Sequence, residues 1–534
     1  MIKSIINFIY FNKSFDKKLE QAYKTLEQNN EIEKIYEIKE KLQNLACSDF
    51  KIDNSFLEYN LDINLSLSQF IYSKFINTPY FTSKLIFAIA FNEKFYFPIS
   101  KKYLDVICKF TKVSLFKSKV LLILLLIFYT FYQFFLIIKN ITNFFILKKT
   151  NDKKIFLNSI PKLYSDTSAD NKNLDFFKWV INYFKLNSKI HFIHNNKFIK
   201  DKKIIISDFD YETNYFKNPL IIFFELIYFK FYIKSFIKTI KFIFQIFLHK
   251  KPELLFLLKE VFSFFYLKEL PKKIFYNYCL FNNSNMVFRP LWSYVNEKKN
   301  KGSVILYFYS TNMMPLLQEI EKKKYFDVYG YSLHSWSTYL TWNSDQKNWL
   351  KNNIKYNSEF KNESLVPFSG KHIKLQKKKK TITIFDVPPK RSGIYYLLNN
   401  PYNIYSYDYC QKFLNDIVNS IPEKYYLQIE IILKLKKDYD NIDPNYRVLI
   451  DNITKNKKIR LITDISPESV IEVSDATISI PFTSTAITSY NKNKETIYYD
   501  PSGKLTKNNC LEKNITLISS QKNLKFWILS ILNK

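Results

Sequence analysis

A chain of 534 residues that is 47% hydrophobic is long enough to bury two or three cores. Its net charge of +32 comes from lysine spread along the whole sequence, with little Arg and only 5 Gly, which is a compositional drift and not a patch built for nucleic acid. The cysteines (Cys47, Cys108, Cys279, Cys410, Cys510) are scattered, which excludes a disulfide framework or a zinc site and fits a reducing cytoplasm.

Met1 to Tyr10 is apolar but lacks a small-residue cleavage site, so no secretory signal is expected. From Lys17 onwards Lys and Glu recur at helical spacing, which predicts a solvated helix or helical hairpin without chemistry inside a helical region 1–118. Val120 to Ile138 carries no charge and is long enough to cross a hydrocarbon core of roughly 30 Å. Lys112, Lys117 and Lys119 precede it and Lys139, Lys148 and Lys149 follow, so the Lys/Arg rule gives no orientation. Residues 119–149 are therefore expected to be a membrane-spanning or monotopic segment, with a buried core helix as the competing reading.

Residues 150–272 read as a mixed region ending in basic amphipathic helices. Asp208-Phe209-Asp210 has a spacing that can hold Mg²⁺ or Mn²⁺, but no second carboxylate group supports it, and His191 and His194 lack a third ligand. No metal site is expected. Lys230, Lys234, Lys238 and Lys241 fall along one face of a helix otherwise filled by Phe, Ile and Leu, the pattern of a helix lying in an anionic interface.

From about Lys273 short β-runs alternate with helical stretches. Strands are predicted at Val304–Tyr309, Asp327–Tyr331, Thr381–Asp386, Leu427–Leu433, Ile459–Ile462 and Ala476–Ile480. The lysine-rich run 374–380 reads as a linker between two α/β domains, 273–373 and 381–534. Ser474 to Gly503 is the most specific stretch. An apolar β-run, a Pro-Phe-Thr-Ser-Thr turn, a short helix and a second β-run ending at Asp500-Pro501 form a β-turn-α-β unit. Thr483, Ser484 and Thr485 stand where the helix begins, so backbone N–H groups, the helix dipole and hydroxyls converge on a point suited to phosphate. Plain N-capping is the competing reading.

These words resemble the polysaccharide biosynthesis family named for its Pro-Phe-Thr-Ser motif, here Pro481 to Ser484, followed by Ile497 to Pro501. The resemblance runs upstream through Phe288-Arg289-Pro290-Leu291-Trp292, Leu306 to Asn312, Trp336, Leu340 to Asn343 with Gln346, Phe385 to Pro389, and Leu433 to Lys436. It covers roughly Tyr276 to Ile518. Where the pattern has Pro between two lysines, Leu435 stands here.

The resemblance implies surface-polysaccharide synthesis (capsule or lipopolysaccharide) on two Rossmann-like domains of glycosyltransferase-B type, behind a helical and partly membrane-associated N-terminal half. It implies a nucleotide-sugar co-substrate with no other cofactor and no metal, a glycan or lipid-linked glycan acceptor, and a site at the inner face of the cell membrane. Transfer of a polyol phosphate from a CDP-linked donor, or a non-catalytic scaffold of the assembly machinery, are the alternatives. A diphosphate leaving group needs helix N-termini, hydroxyls and cations in a chain without Gly-rich phosphate loops. Thr483, Ser484 and Thr485 are expected to supply the first two, and Lys434, Lys436, Lys390 and Arg391 the third. Arg289, Asp386 and Asp500 are further candidates for substrate contact. His334 is the candidate general base for an acceptor hydroxyl, because its unperturbed pKa lies near 6.5.

Overall fold

The computed structural model describes residues 13–48, 62–141, 153–158, 174–186, 190–194, 202–206, 209–215, 225–271, 276–282, 287–308, 330–362, 373–389, 406–435, 442–455, 459–481, 483–505 and 515–533. Among the described residues the first α-helices are α1 (Lys13–Gln28), α2 (Ile32–Ser48), α3 (Ile63–Ile71), α4 (Pro79–Ala90), α5 (Lys101–Ile107) and α6 (Leu115–Lys139). Their starts follow ordinary capping chemistry. Asp62 accepts from the backbone N–H groups of Asn64 and Leu65, and the Thr78 hydroxyl accepts from Phe81 N with Pro79 in the first turn. The expected solvated helices are more committed than that: Leu19, Ala22 and Leu26 of α1 and Ile35, Ile38 and Leu42 of α2 are buried.

The first α/β unit follows with β1 (Lys153–Asn158), α7 (Leu174–Tyr183), β2 (Ile190–His194), β3 (Lys202–Ile206) and β4 (Phe209–Tyr215). It continues through α8 (Phe229–Leu248), α9 (Leu258–Glu269), β5 (Tyr278–Asn282), α10 (Leu291–Asn300), β6 (Ser303–Tyr307), β7 (Thr338–Thr341), α11 (Ser344–Asn353) and β8 (Glu359–Asn362). Its sheet runs β3-β4-β2-β1-β5-β6-β7-β8, parallel throughout except for β3 against β4.

The first sheet is therefore not confined to residues 273–373. β1 pairs with β5 in the register Ile155 to Tyr278, and Ile155, Phe156 and Leu157 are buried between their neighbours. One continuous core joins the N-terminal helices, α9 and this sheet, through Phe156, Cys279 and Leu306. In a chain rich in Ile, Phe and Lys everywhere, such short runs have little local contrast. Tyr331, expected in a strand, sits in a single 3₁₀ turn, and residues 327–329 lie outside the described residues.

The second unit comprises β9 (Lys380–Phe385), α12 (Tyr407–Ser420), β10 (Ile429–Lys434), α13 (Pro444–Lys455), β11 (Arg460–Ile462) and α14 (Pro467–Val473). It ends with β12 (Ala476–Ser479), α15 (Ser484–Asn491), β13 (Glu495–Tyr499), β14 (Thr516–Ile518) and α16 (Gln521–Asn533). Its sheet is wholly parallel in the order β11-β10-β9-β12-β13-β14. Both faces are covered, and the strands accordingly read as continuous apolar runs. The lysine-rich run before β9 is docked, not free. Lys377 pairs with Asp475 at 2.6 Å, Ile373 N donates to Ser469 Oγ at 3.2 Å, and Lys380 already belongs to β9. Trp349 of α11 packs against the cores of both units.

Candidate functional site

In an open parallel sheet, ligands gather beyond the carboxyl ends of the strands, where the strand order reverses. In the second sheet that reversal lies between β9 and β12, because the chain builds outward from β9 first to β10 and β11, then to β12, β13 and β14. Two segments leave the sheet there. β9 runs into Asp386-Val387-Pro388-Pro389, and β12 runs into Pro481 and the turn before α15. Ile480 N donates to Phe385 O at 3.2 Å, so the two exits start side by side.

The turn after β12 does not behave as a plain helix cap. Thr483 occupies the N-cap position, yet its hydroxyl donates back to Ile480 O at 3.0 Å, and no side-chain hydrogen bond caps α15. Thr485 Oγ1 lies 3.2 Å from Thr483 Oγ1, and Tyr498 OH donates to Thr483 O at 3.4 Å, which fixes the turn from β13. Thr483 and Ser484 are buried. The Ser479 hydroxyl, fully buried at the end of β12, has no hydrogen-bond partner among the described residues. Phe482 lies outside them.

Across the reversal, Asp386 is held from two sides. Val387 N donates to its Oδ1 at 2.7 Å, and the Tyr446 hydroxyl of α13 donates to its Oδ2. Burial pushes the Asp386 carboxyl up to about 7, against the pull of those two hydrogen bonds. The loop is anchored further by Asp443 N donating to Pro389 O at 3.0 Å and by Cys410 Sγ donating to Val387 O at 3.4 Å. Asp443 also caps α13, accepting from Asn445 N at 2.8 Å, and so sets the position of Tyr446. Neither Tyr446 nor Ser479 was singled out from sequence. Ser479 offered a signal, a small polar residue closing an apolar β-run, whereas nothing local ties Tyr446 to Asp386.

Lys434 stands at the carboxyl end of β10, beside β9, but its ammonium is turned onto the backbone. It donates to Leu435 O at 2.6 Å and to Thr463 O at 3.0 Å, joining the ends of β10 and β11. Lys436, Lys390 and Arg391 lie outside the described residues.

Three other candidates prove to be parts of the framework. Asp500, fully buried, accepts from Tyr409 OH, Ser502 N and Ser502 Oγ on one oxygen and from Leu505 N on the other. It shapes the turn in which Gly503 takes φ +69°. Arg289, also fully buried, donates to Ser335 O at 2.7 Å, Ser293 Oγ at 3.1 Å and Glu297 Oε2 at 2.8 Å. Its guanidinium carbon lies 3.8 Å from the Tyr294 ring centroid. In both residues the hydrogen bonds named hold two segments of the framework together.

His334 precedes β7 and therefore sits at the amino end of that strand. It is buried against Tyr331 and Tyr339, its Nδ1 has no partner among the described residues, and burial pushes its pKa down to about 3. A residue so enclosed is a poor base for an incoming hydroxyl. His191 and His194 fall on β2, Asp210 falls on β4, and Asp208 lies outside the described residues. Among the described residues no group of three or more His, Cys, Asp or Glu could hold a metal ion.

Fold and site together define a two-sheet α/β protein with Asp386 and the Thr483–Thr485 turn at the strand-order reversal of its second sheet. The chain belongs to the family of polysaccharide biosynthesis PFTS motif proteins, whose model matches residues 236–528, more than half of the sequence. The match extends upstream of Tyr276 into α8. No curated protein matches the chain.

Solved structures of similar outline include an alpha,alpha-trehalose 6-phosphate synthase from Burkholderia multivorans (6% identity, TM-score 0.38, covering 72% of this chain and 91% of that one). The wall teichoic acid polymerase TagF is similar at 10% identity and a TM-score of 0.37, covering 76% of this chain and 89% of its own. A UDP-GlcNAc 2-epimerase from Methanocaldococcus jannaschii is similar at 11% identity and a TM-score of 0.35, covering 72% and 93%. Likenesses this loose concern broad outline alone, and the three proteins comprise a synthase, a polymerase and an epimerase.

Proposed function

We propose that this protein is a glycosyltransferase of surface-polysaccharide biosynthesis that works from a nucleotide-activated sugar, without a metal, at the cytoplasmic face of the cell membrane. The observation that carries the reading is that β9 and β12, which lead into Asp386 and the Thr483–Thr485 turn, leave the second sheet side by side at its strand-order reversal. The N-terminus of α15, uncapped by its Thr483 side chain, offers backbone donors and dipole to a diphosphate, with the Ser484 and Thr485 hydroxyls beside it. Those groups act on the charge that develops as the bond from sugar to diphosphate breaks.

Asp386 supplies the complementary function. A carboxyl raised to about 7 exists in both protonation states at neutral pH, which suits it to take the proton that the acceptor hydroxyl loses as its oxygen bonds to the sugar. The acceptor is a growing glycan or its lipid-linked precursor. The test is to incubate the purified protein with a panel of nucleotide sugars, following thermal stabilisation and release of nucleoside diphosphate. One donor class should stabilise the fold and be turned over. Absence of both across UDP-, GDP-, CDP- and dTDP-linked sugars would contradict the reading.

A further inference from the structure

Among the described residues, α6 is the one helix long and apolar enough to cross a membrane. It is nevertheless docked along its whole length. Ser118 Oγ accepts from Phe97 N at 3.1 Å near one end. Gln133 Nε2 donates to Leu255 O at 2.8 Å and its Oε1 accepts from Lys259 N at 3.0 Å, and near the other end Ile137 O accepts from the Tyr232 hydroxyl of α8. Ser118, Leu126, Gln133 and Ile137 form a buried stripe, while Phe128 and Phe131 are each 70% exposed. A helix that spanned the bilayer in this arrangement would drag the segments docked on it, the 3₁₀ turn through Leu255 and the charged Lys259 among them, into hydrocarbon.

α8 repeats the pattern beside it. Tyr232, Ser235, Thr239, Phe242 and Ile246 are buried, and Ile233, Ile237, Ile240, Phe244 and Phe247 form an exposed stripe on the opposite side at helical spacing. Phe236 meets Phe134 of α6 at 6.2 Å between ring centroids, so the two helices adjoin. Neither helix contains an acidic residue. Lys117, Lys119 and Lys139 sit at the ends of α6, and Lys230, Lys234 and Lys241 run along one flank of the exposed stripe of α8. Of the four lysines on α8, Lys234 and Lys238 also pair with Glu269 of α9, so part of the expected basic face is tied inward and Lys230 and Lys241 remain its outer members.

We infer that α6 and α8 form a platform that inserts side-on into one leaflet of an anionic bilayer, so that the protein is monotopic and does not span. An apolar surface rimmed by lysine complements anionic headgroups over acyl chains. A second copy on the same face would set lysine against lysine, without acidic residues of either helix to answer them. Which side of the membrane the platform occupies rests on the function proposed above; the mode of attachment does not.

The experiment uses the full chain and sealed vesicles of phosphatidylcholine, with or without phosphatidylglycerol, read by co-sedimentation. Binding should require phosphatidylglycerol and weaken as salt rises. Phe128→Glu with Phe131→Glu should lower it at least about tenfold, since each replaces an apolar ring that would enter the acyl chains with a charge. Both side chains are largely exposed, so unfolding temperature and nucleotide-sugar binding should hold. Lys230→Glu with Lys241→Glu should lower binding and remove most of the salt dependence.

On vesicle-bound protein, a membrane-impermeant amine reagent added outside should modify Lys119 and Lys139 alike, as read by peptide mass spectrometry. Protection of one of them until the vesicles are opened would show a spanning helix and overturn the proposal. So would dimerisation through this face with no binding to either kind of vesicle. Loss of donor binding or turnover in the proposed site, with vesicle binding intact, would count against the function alone.

Discussion

The two α/β units use similar polar words to different ends. In the first, Arg289 and His334 are sealed into the core, one by hydrogen bonds to Ser293, Ser335 and Glu297, the other between two tyrosine rings. In the second, Asp386 and the Thr483–Thr485 turn lie where two neighbouring strands leave the sheet in opposite lateral directions. A polar residue inside a recurring motif is thus ambiguous until its hydrogen bonds are counted. Those of Arg289 end on the protein itself, whereas among the described residues α15 begins without a side-chain cap and the Ser479 hydroxyl has no partner.

The sharpest way to break this comparison is to disturb each unit at its most buried polar group. Arg289→Met should cost about 3–5 kcal/mol of stability, because it strips a desolvated ion pair and leaves the Ser335 carbonyl without its donor. Chemical denaturation reads the loss, and a stable variant with impaired turnover would move Arg289 back among the substrate contacts. Asp386→Asn should reduce product formation at least about tenfold, roughly 1.4 kcal/mol of transition-state stabilisation, while the protein stays folded.

The same substitution carries a pH signature. A carboxyl held near 7 in the folded state and near 3.8 in the unfolded one leaves the unfolded chain deprotonated first. Stability therefore falls as pH rises from about 4 to 7, and Asp386→Asn should flatten that limb.

Smaller effects refine the picture. Lys434→Met should lower stability by about 1–3 kcal/mol, because the carbonyls of Leu435 and Thr463 lose a charged donor. Turnover lost with stability unchanged would instead assign its charge to the donor. His334→Phe should leave turnover within about twofold. Buried neutral with a pKa near 3, His334 takes up its proton in the unfolded chain first, so it favours folding above about 6.5 and that support is lost as pH falls towards 3. The Phe variant should lose this acid limb, which pH-resolved thermal unfolding measures.

What could be read along the chain was what is local. The stretch from Ala476 to Asp500 declared its strand, turn, helix and strand because two apolar runs are separated by turn residues and hydroxyls, and β12, α15 and β13 stand there. What stayed hidden depends on partners far away in sequence. Tyr446 reaches Asp386 across 60 residues, and β1 finds one of its two neighbours in β5, more than a hundred residues on. The apolar run of α6 carried its own clue in Gln133, a lone amide whose two hydrogen bonds hold the helix against the body. Periodicity cannot distinguish such an anchor from an accident.

The central claim is that the turn after β12 holds the donor's diphosphate, and the direct measurement is calorimetric affinity for the stabilising nucleotide sugar in the Ser484→Ala, Thr485→Ala double variant. Loss of two charge-assisted hydrogen bonds at about 1.5–3 kcal/mol each should weaken binding by two orders of magnitude or more. The helix backbone supplies its N–H groups unchanged, so the unfolding temperature without ligand should stay close to that of the parent. A folded double variant that binds the donor as tightly as the parent would return Ser484 and Thr485 to ordinary helix-start residues and contradict the account.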